Sequence, residues 1–552
     1  MRGIDKPALL VACFVPTAPV DEALPGSGAP HRDSAHAYLD DLWRACRALG
    51  MTAPIPGLPR PAEHLPPIPS RTRELEILAA ADRGGGTAVY SVYVFAEHDT
   101  AGLVALLAPN DTDAGLDRWG DLLAEWRAAL AGTGRPGGGP PPESVLGEFH
   151  VYEALRRRTF TGTEQALCEA VRRYAPGAGA PGSGPADGGP TGGGPTGGPS
   201  APGSGAAGAT WWRGYDRTDH GFSVWRREQD HARDLVSDLY VIAPARLEAE
   251  LDAWAWAVDG ESGLRPLTRY LLHTAKLRYE ARQYAAADPV AAHIDVTDRQ
   301  TRELLRELEP AAAGEPISLG RVLRAANLLD RTQLGPQGMT WTITGLRQLS
   351  RTVAIAAANM RIHAPVVHRQ GPGVPWPAAD LAAADALIAQ ADSDQVYLET
   401  TRERAEAARA LASTIVDRAF DDRRGKLTLI QGSVLGAVVT ALTVVQSFQY
   451  TIPLSHIVQS PTIAVLTALA LALPLTVLRW AGVRATTSYT WLVSWAAGLV
   501  GASLGWLVTV LVRRHLDQGP LPAAVTLACA AVSGLFAYGA SRLLTRRHGG
   551  AP

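Results

Sequence analysis

The sequence predicts an α+β N-terminal domain of ferredoxin-like β-α-β-β-α-β order, a mainly helical middle region and a C-terminal bundle of four transmembrane helices. Three observations carry this. Short apolar runs alternate with amphipathic stretches up to residue 175. A Gly/Pro-rich segment at 176–208 interrupts all pattern, and four long apolar runs lie between Leu427 and Leu544. They divide the chain into an α+β domain at 1–175, a linker at 176–208, a hairpin-plus-helical domain at 209–377, a long helix at 378–426, a membrane unit at 427–544 and a basic tail at 545–552.

Each N-terminal element has its own cause. PALLVACFV at 7–15 is a continuous apolar run bounded by prolines, the pattern of a strand buried on both faces. Arg2 and Lys6 ahead of it mimic a signal peptide, but the run is short and no clean small-x-small cleavage site follows. His36–Leu49 has helical spacing at Leu39, Leu42, Trp43 and Cys46 and stops at Gly50. Pro54–Pro69 is irregular, and Arg71–Asp82 reads as a short helix. Val89–Phe95 and Gly102–Ala108 read as strands joined by a polar turn at Glu97–Thr100. Leu116–Ala131 is an amphipathic helix, Gly147–Leu155 another strand, and Thr163–Tyr174 a short helix.

The segment 176–208 is almost entirely Gly, Pro, Ala, Ser and Thr; with nothing to bury, it predicts a disordered linker. Its glycines lack the G-K-[ST] ending and the flanking strand and helix of a phosphate loop. Beyond it, Phe222–Arg226 and Asp238–Ile242 predict a hairpin, followed by a helix at Ala245–Val258. From there strands disappear. Helices are expected at Leu264–Ala287, at Arg302–Leu308 behind a capping box of Thr297 and Gln300, at Leu319–Leu329 and at Thr342–Met360. Pro365 and GPGVPWP at 371–377 break the run. Ala378–Arg424 has no Gly or Pro and a loose stripe of Leu381, Leu387, Ile388, Val396, Leu411, Ile415, Val416 and Phe420. Gly425 is the one breaker before the membrane unit. The stretch reads as a plain connector or as a helix that transmits rotation or association.

Leu427–Phe448, Ile463–Leu478, Trp491–Val512 and Leu521–Leu544 are the four expected spans, with Pro474 in the second and Arg542 the one charge, near the end of the fourth. A bilayer core takes about 20 apolar residues as a helix, and the backbone must satisfy its own hydrogen bonds there. Arg423, Arg424 and Lys426 precede the first span, Arg479 and Arg484 the third, and Arg542, Arg546 and Arg547 close the fourth. This bias places both termini in the cytoplasm at the cell inner membrane; Arg513 and Arg514 dissent. Trp480, Tyr489, Trp491 and Trp495 suit an interfacial belt. Gly501 and Gly505, with Gly498 and Ala502, give small-xxx-small spacing for close packing, either within the unit or between subunits.

Composition and motifs exclude several functions. With 52 Lys and Arg against 54 Asp and Glu, the chain lacks the basic excess of a general nucleic-acid binder. The four cysteines, Cys13, Cys46, Cys168 and Cys529, are far apart, which disfavours a zinc site, a redox motif and a disulfide framework. No G-x-S-x-G, H-E-x-x-H or Walker pattern occurs, and the span interiors hold no charged residue to suggest coupled transport. Cys168 and His220 are the candidate pair for a cysteine peptidase, yet nothing in the sequence brings them together. His220 reads as a turn residue, and the cluster of Trp211, Trp212, Tyr215, Phe222 and Trp225 as core before partner anchor. No catalytic residue, cofactor or metal ligand is assigned, and the expectation is a protein without enzymatic activity.

The N-terminal third resembles the caspase- and TPR-repeat-associated (CATRA) proteins of bacterial conflict systems. PALLVACFVPTAP at 7–19 and LWRACRALGMTAPIPGLP at 42–59 carry the resemblance, and VALLAPN at 104–110 and DRWGDLLAEW at 117–126 support it. It covers 1–155 and implies a non-enzymatic partner of a separately encoded caspase-like peptidase with TPR repeats. It transfers no catalytic residue. The expected role is a membrane-anchored sensor, adaptor or effector of a defence system, with the lipid bilayer and a homo-oligomer as further partners. The alternative is an oligomeric membrane pore.

Overall fold

A computed structural model describes residues 3–17, 32–86, 88–110, 114–133, 145–176, 211–227, 234–256, 263–287, 289–315, 317–335, 338–450, 456–480, 487–516 and 522–548. The chain forms two compact units, Met1–Ala410 and Leu411–Pro552.

The first unit is built on one mixed sheet of nine strands in the order β2-β3-β4-β1-β5-β8-β7-β6-β9. The strands are β1 (Ile4–Pro16), β2 (Glu76–Asp82), β3 (Val89–Glu97), β4 (Thr100–Ala108), β5 (Gly147–Arg156), β6 (Tyr215–Thr218), β7 (Ser223–Arg226), β8 (Val236–Pro244) and β9 (Val367–Gln370). The ferredoxin-like expectation is therefore corrected. The four strands expected in the N-terminal domain are only the centre of this sheet. β5 continues it by pairing in parallel with β8, from Glu148↔Val236 to Arg156↔Pro244, so strands from both sides of the undescribed segment 177–210 share one layer. The expected linker lies outside the described residues but for Pro176. The stretch expected as a helix at Arg71–Asp82 holds β2, because the free edge of β3 offers a hydrogen-bonded ladder that outweighs the helical preference of EILAAAD.

Strand periodicity sorts the core into two layers. Leu9, Val11, Cys13 and Val15 of β1 face one side. There they meet α1 (Arg32–Ala48), α2 (Arg118–Ala131) and α3 (Glu164–Tyr174) through Leu42, Trp43, Trp119, Trp126 and Leu167. Leu10, Ala12 and Phe14 face the other side. That layer contains α4 (Glu248–Ala255), α5 (Pro266–Ala287), α8 (Met339–His363) and the head of α9 (Trp376–Tyr450). α6 (Pro289–Ala312) and α7 (Leu319–Leu334) complete the helical region. Thr297 is buried inside α6, so the expected capping box does not mark a helix start.

α9 is 75 residues long and passes Gly425 without a break. Its root is locked to the sheet. Asp380 is fully buried; Arg226 Nη1 of β7 donates to its Oδ1 at 2.5 Å, and Tyr270 of α5 donates to its Oδ2 at 2.8 Å. Asp216 of β6 accepts from the Trp376 backbone N–H at 2.8 Å, placing a carboxylate at the positive end of the helix. The buried line along α9 is Ala384, Ala391, Leu398, Ala405 and Ala412, every seventh residue. Val396, Leu411 and Phe420 of the expected stripe point outward.

In the second unit, α10 (His456–Trp480), α11 (Thr487–His515) and α12 (Ala523–His548) follow. The expectation of four spans is corrected to two. Among the described residues, Trp491–His515 and Ala523–Leu543 are long and apolar enough to cross a membrane. The apolar part of α10, Ile457–Leu473, is shorter than the ~20 residues a span takes, and Leu427–Phe448 belongs to the end of α9. The side chains of many residues from 426 to 450 and of Pro474 lie outside the described set, as do Arg484, Asp517 and the side chains of the tail. α11 and α12 pack through small residues. A Cβ on Gly501 or Gly505 would overlap Ala537 or Ser533, and one on Gly534 would come within 3.0 Å of Ala502. The small-xxx-small spacing thus packs two helices of one chain. Phe536, Leu535 and Leu527 point outward, as do Trp491 and Leu499.

Candidate functional site

β5, GEFHVYEALR, carries two glutamates and a histidine, Glu148, Glu153 and His150, in a strand buried on both faces. Strand alternation sends Glu148 and His150 to the face of α1 and α2, and Glu153 to the face of α4.

On the first face, His150 Nε2 lies 2.9 Å from Glu148 Oε1, and His150 Nδ1 lies 3.4 Å from Asp238 Oδ1 on β8. Tyr38 of α1 donates to Glu148 Oε2 at 3.0 Å. Burial alone would discharge the imidazole, but bonds to Asp238 and Glu148 outweigh it and push its pKa up to about 9. Burial would likewise raise Glu148, yet His150 and Tyr38 hold it below the ordinary carboxylate range. The group is a charged triad at the β5–β8 junction, where register must be unique. Cys13 sits opposite Glu148 on β1; burial and then the Glu148 charge push its thiol well up, so it rests protonated.

On the second face, Glu153 lines a cleft of about 210 Å³. β1 bulges at its rim. Asp5 pairs with Leu155 and Ala8 with Glu153, so Lys6 and Pro7 stand against Ala154 alone. Lys6 takes φ +47°, a left-handed backbone rare outside glycine, and so does Asn110 across the cleft at φ +51°. From α4 come Glu248, Leu251, Asp252 and Trp256 just beyond it. Lys6 Nζ contacts both oxygens of Glu248, at 2.7 and 3.0 Å. Glu153 is 4% exposed, and its Oε1 has no hydrogen-bond partner among the described residues. Burial, then the nearby Asp252 charge, push its pKa up to about 8. Burial raises Asp252 as well.

The structure does not bring Cys168 and His220 together. Cys168 is buried in α3 on the α1–α2 face, its thiol raised chiefly by burial. His220 is exposed at the turn between β6 and β7 and stacks on Phe222, which belongs to the opposite face. The aromatic cluster splits between the two layers: Tyr215 and Trp225 join one, Phe222 the other, and Trp211 stacks on Tyr240 with centroids 5.3 Å apart. Sequence reasoning passed over Glu148, His150 and Glu153. Their one signal is two acids and a histidine within a largely apolar run.

Two family descriptions match this architecture. Residues 8–259 match the CASPASE and TPR Repeat-Associated N-terminal domain, and residues 265–405 match the CASPASE and TPR Repeat-Associated C-terminal domain. The chain belongs to the CATRA family, whose domains are associated with caspase and TPR-repeat systems. The first match runs through the undescribed segment and ends just after α4; the second covers α5 to α8 and the head of α9. No curated protein and no solved structure matches the chain.

Proposed function

We propose that this chain is a membrane-anchored, non-enzymatic adaptor or effector of a bacterial conflict system, working beside a caspase-like peptidase with TPR repeats. One observation carries the reading: a single chain joins both CATRA domains to a pair of helices whose large apolar side chains face outward. On helices of this length and apolarity, such a surface suits lipid. With Arg479 and Arg484 before the pair and Arg542, Arg546 and Arg547 at its end, basic residues favour both flanks in the cytoplasm of a cell with the pair in its inner membrane. For the partner, α8 offers an outward line of Trp341, Ile355 and Ile362, exposed by 55%, 55% and 73%, spaced in multiples of seven so that they share one side of the helix.

The test is fractionation with co-purification. The full chain should stay with membranes through high-pH carbonate extraction and bring down a caspase-like protein encoded beside it. Trp341→Glu should lose the partner and keep the membrane. Release of the wild-type chain by carbonate would refute the anchor; unchanged partner recovery with Trp341→Glu would refute the α8 surface. Ion conductance from the chain in liposomes would replace the anchor by a pore.

A further inference from the structure

We propose that the cleft beside Glu153 binds an organic cation, a guanidinium or ammonium group on an aliphatic stem, with Glu153 and Asp252 meeting the charge and Leu251 and Trp256 the stem. The first reason is charge. Among the described residues, three carboxylates line the cleft against one cation, and Lys6 already engages both oxygens of Glu248. Asp252 Oδ1 receives only a long 3.4 Å bond from the Trp256 indole, and Glu153 Oε1 receives none among the described residues. A carboxyl group buried without a partner is costly. A cation entering the cleft supplies the partner.

The second reason is shape. The remaining lining is mostly apolar, with Leu106, Ala108, Leu155, Leu251 and Trp256 as walls around the acids. At about 210 Å³ the cleft is smaller than the roughly 300–1,000 Å³ of sites for drug-sized ligands and suits one extended side chain. The Trp256 ring adds a face that attracts guanidinium and ammonium groups. Among the described residues, no group of three or more His, Cys, Asp or Glu is placed to hold a metal ion. Among the described residues, the charged groups that face Glu153 are Lys6 of β1 and Glu248 and Asp252 of α4; β3 and β4 bring none to the cleft. Binding should ionise Glu153 and release one proton, so affinity should rise with pH. Occupancy of this cleft does not depend on the adaptor role or on membrane attachment.

The experiment is calorimetric titration of the full chain in detergent micelles with agmatine and with the blocked peptide N-acetyl-Ala-Arg-Ala-amide, using the norleucine analogue of that peptide as neutral control. The arginine probes should bind, with affinity rising about 50-fold from pH 6 to 8 and a heat that depends on buffer ionisation. The norleucine peptide and the variant Glu153→Gln should each bind at least about tenfold more weakly. Ala108→Trp, which fills the rim and leaves the acids in place, should abolish binding. Peptide binding as tight as agmatine assigns the cation to a protein side chain; agmatine binding without peptide binding assigns it to a free small cation. The proposal is overturned if neither cation binds, if norleucine binds equally, or if Glu153→Gln or Ala108→Trp binds like wild type.

Discussion

Replacing Glu153 with Gln keeps the shape of the side chain and removes its ability to ionise. The carboxyl has an ordinary pKa of 4.5 in the unfolded chain and about 8 in the fold. A pKa raised on folding means that the folded state binds the proton more tightly. The stability from this group is therefore complete below pH 4.5 and is lost as the pH climbs through 8. Between those values the loss is about 1.4 kcal/mol per pH unit, hence roughly 3 kcal/mol from pH 5.5 to pH 8. The Glu153→Gln variant suffers none of it. For a unit of ~400 residues this corresponds to a widening of the melting-temperature gap by about 3–4 °C. Thermal unfolding of both full-length proteins in one detergent, followed by tryptophan fluorescence at pH 5.5 and pH 8, measures it. Glu280, raised by burial to about 7, titrates in the same window, but equally in both proteins, so the comparison isolates position 153. A gap that stays constant between the two pH values, or that closes at pH 8, would refute the idea of an unpaired carboxyl behind the cleft. Confirmation would show a site held at some expense of stability, as binding sites commonly are.

Three further outcomes follow from the same geometry. Asp380→Asn leaves the buried Arg226 without its counter-charge and should cost about 3–5 kcal/mol in denaturant unfolding, much of it recovered in the double variant Asp380→Asn, Arg226→Met. His150 is raised to about 9 by its two carboxylates, so its contribution is complete below its ordinary 6.5 and lost as pH rises through 9; His150→Gln should be less stable by roughly 2–3 kcal/mol at pH 6.5 and flatten that decline in an unfolding series from pH 6.5 to 9.5. Gly501→Val drives a side chain into Ala537 and Ser533 and should weaken the α11–α12 pair by about 1–3 kcal/mol, seen as a lower midpoint in dodecyl-sulfate unfolding of the detergent-solubilised chain.

What the sequence disclosed followed from local causes. β1, β3, β4 and β5 each carry an apolar run long enough to announce a strand, and α1, α2 and α5 repeat their apolar residues at helical spacing. What it concealed was set by distance or by small side chains. The parallel β5–β8 pair joins Glu148 to Val236 across a segment that has no pattern of its own, so nothing local says that the sheet continues. β9 is four mostly polar residues, placed by β6 rather than by its own apolarity. Along α9 a search for large apolar residues finds Leu381, Leu387, Ile388 and Val416, which pack, but also Val396, Leu411 and Phe420, which do not, and it misses the alanines at seven-residue spacing, which look bland in a sequence.

The membrane region and the cleft show the same limit from opposite sides. An apolar run without charge predicts a span only if the helix it forms stays apolar over a sufficient length. Ile457–Leu473 falls short of that length, and Leu427–Phe448 runs on as one helix from the charged part of α9. For the cleft, Glu153 looks in sequence like one polar residue in a half-exposed strand. It becomes notable only once β1 and α4 cover it and Lys6, bent outward by the bulge, pairs with Glu248 instead. Burial converts an ordinary carboxylate into a group that is stable neutral and ready to ionise when a cation arrives. That conversion depends on three elements far apart in sequence, which is why the clearest candidate for recognition in this chain is a property of the fold and not of a motif.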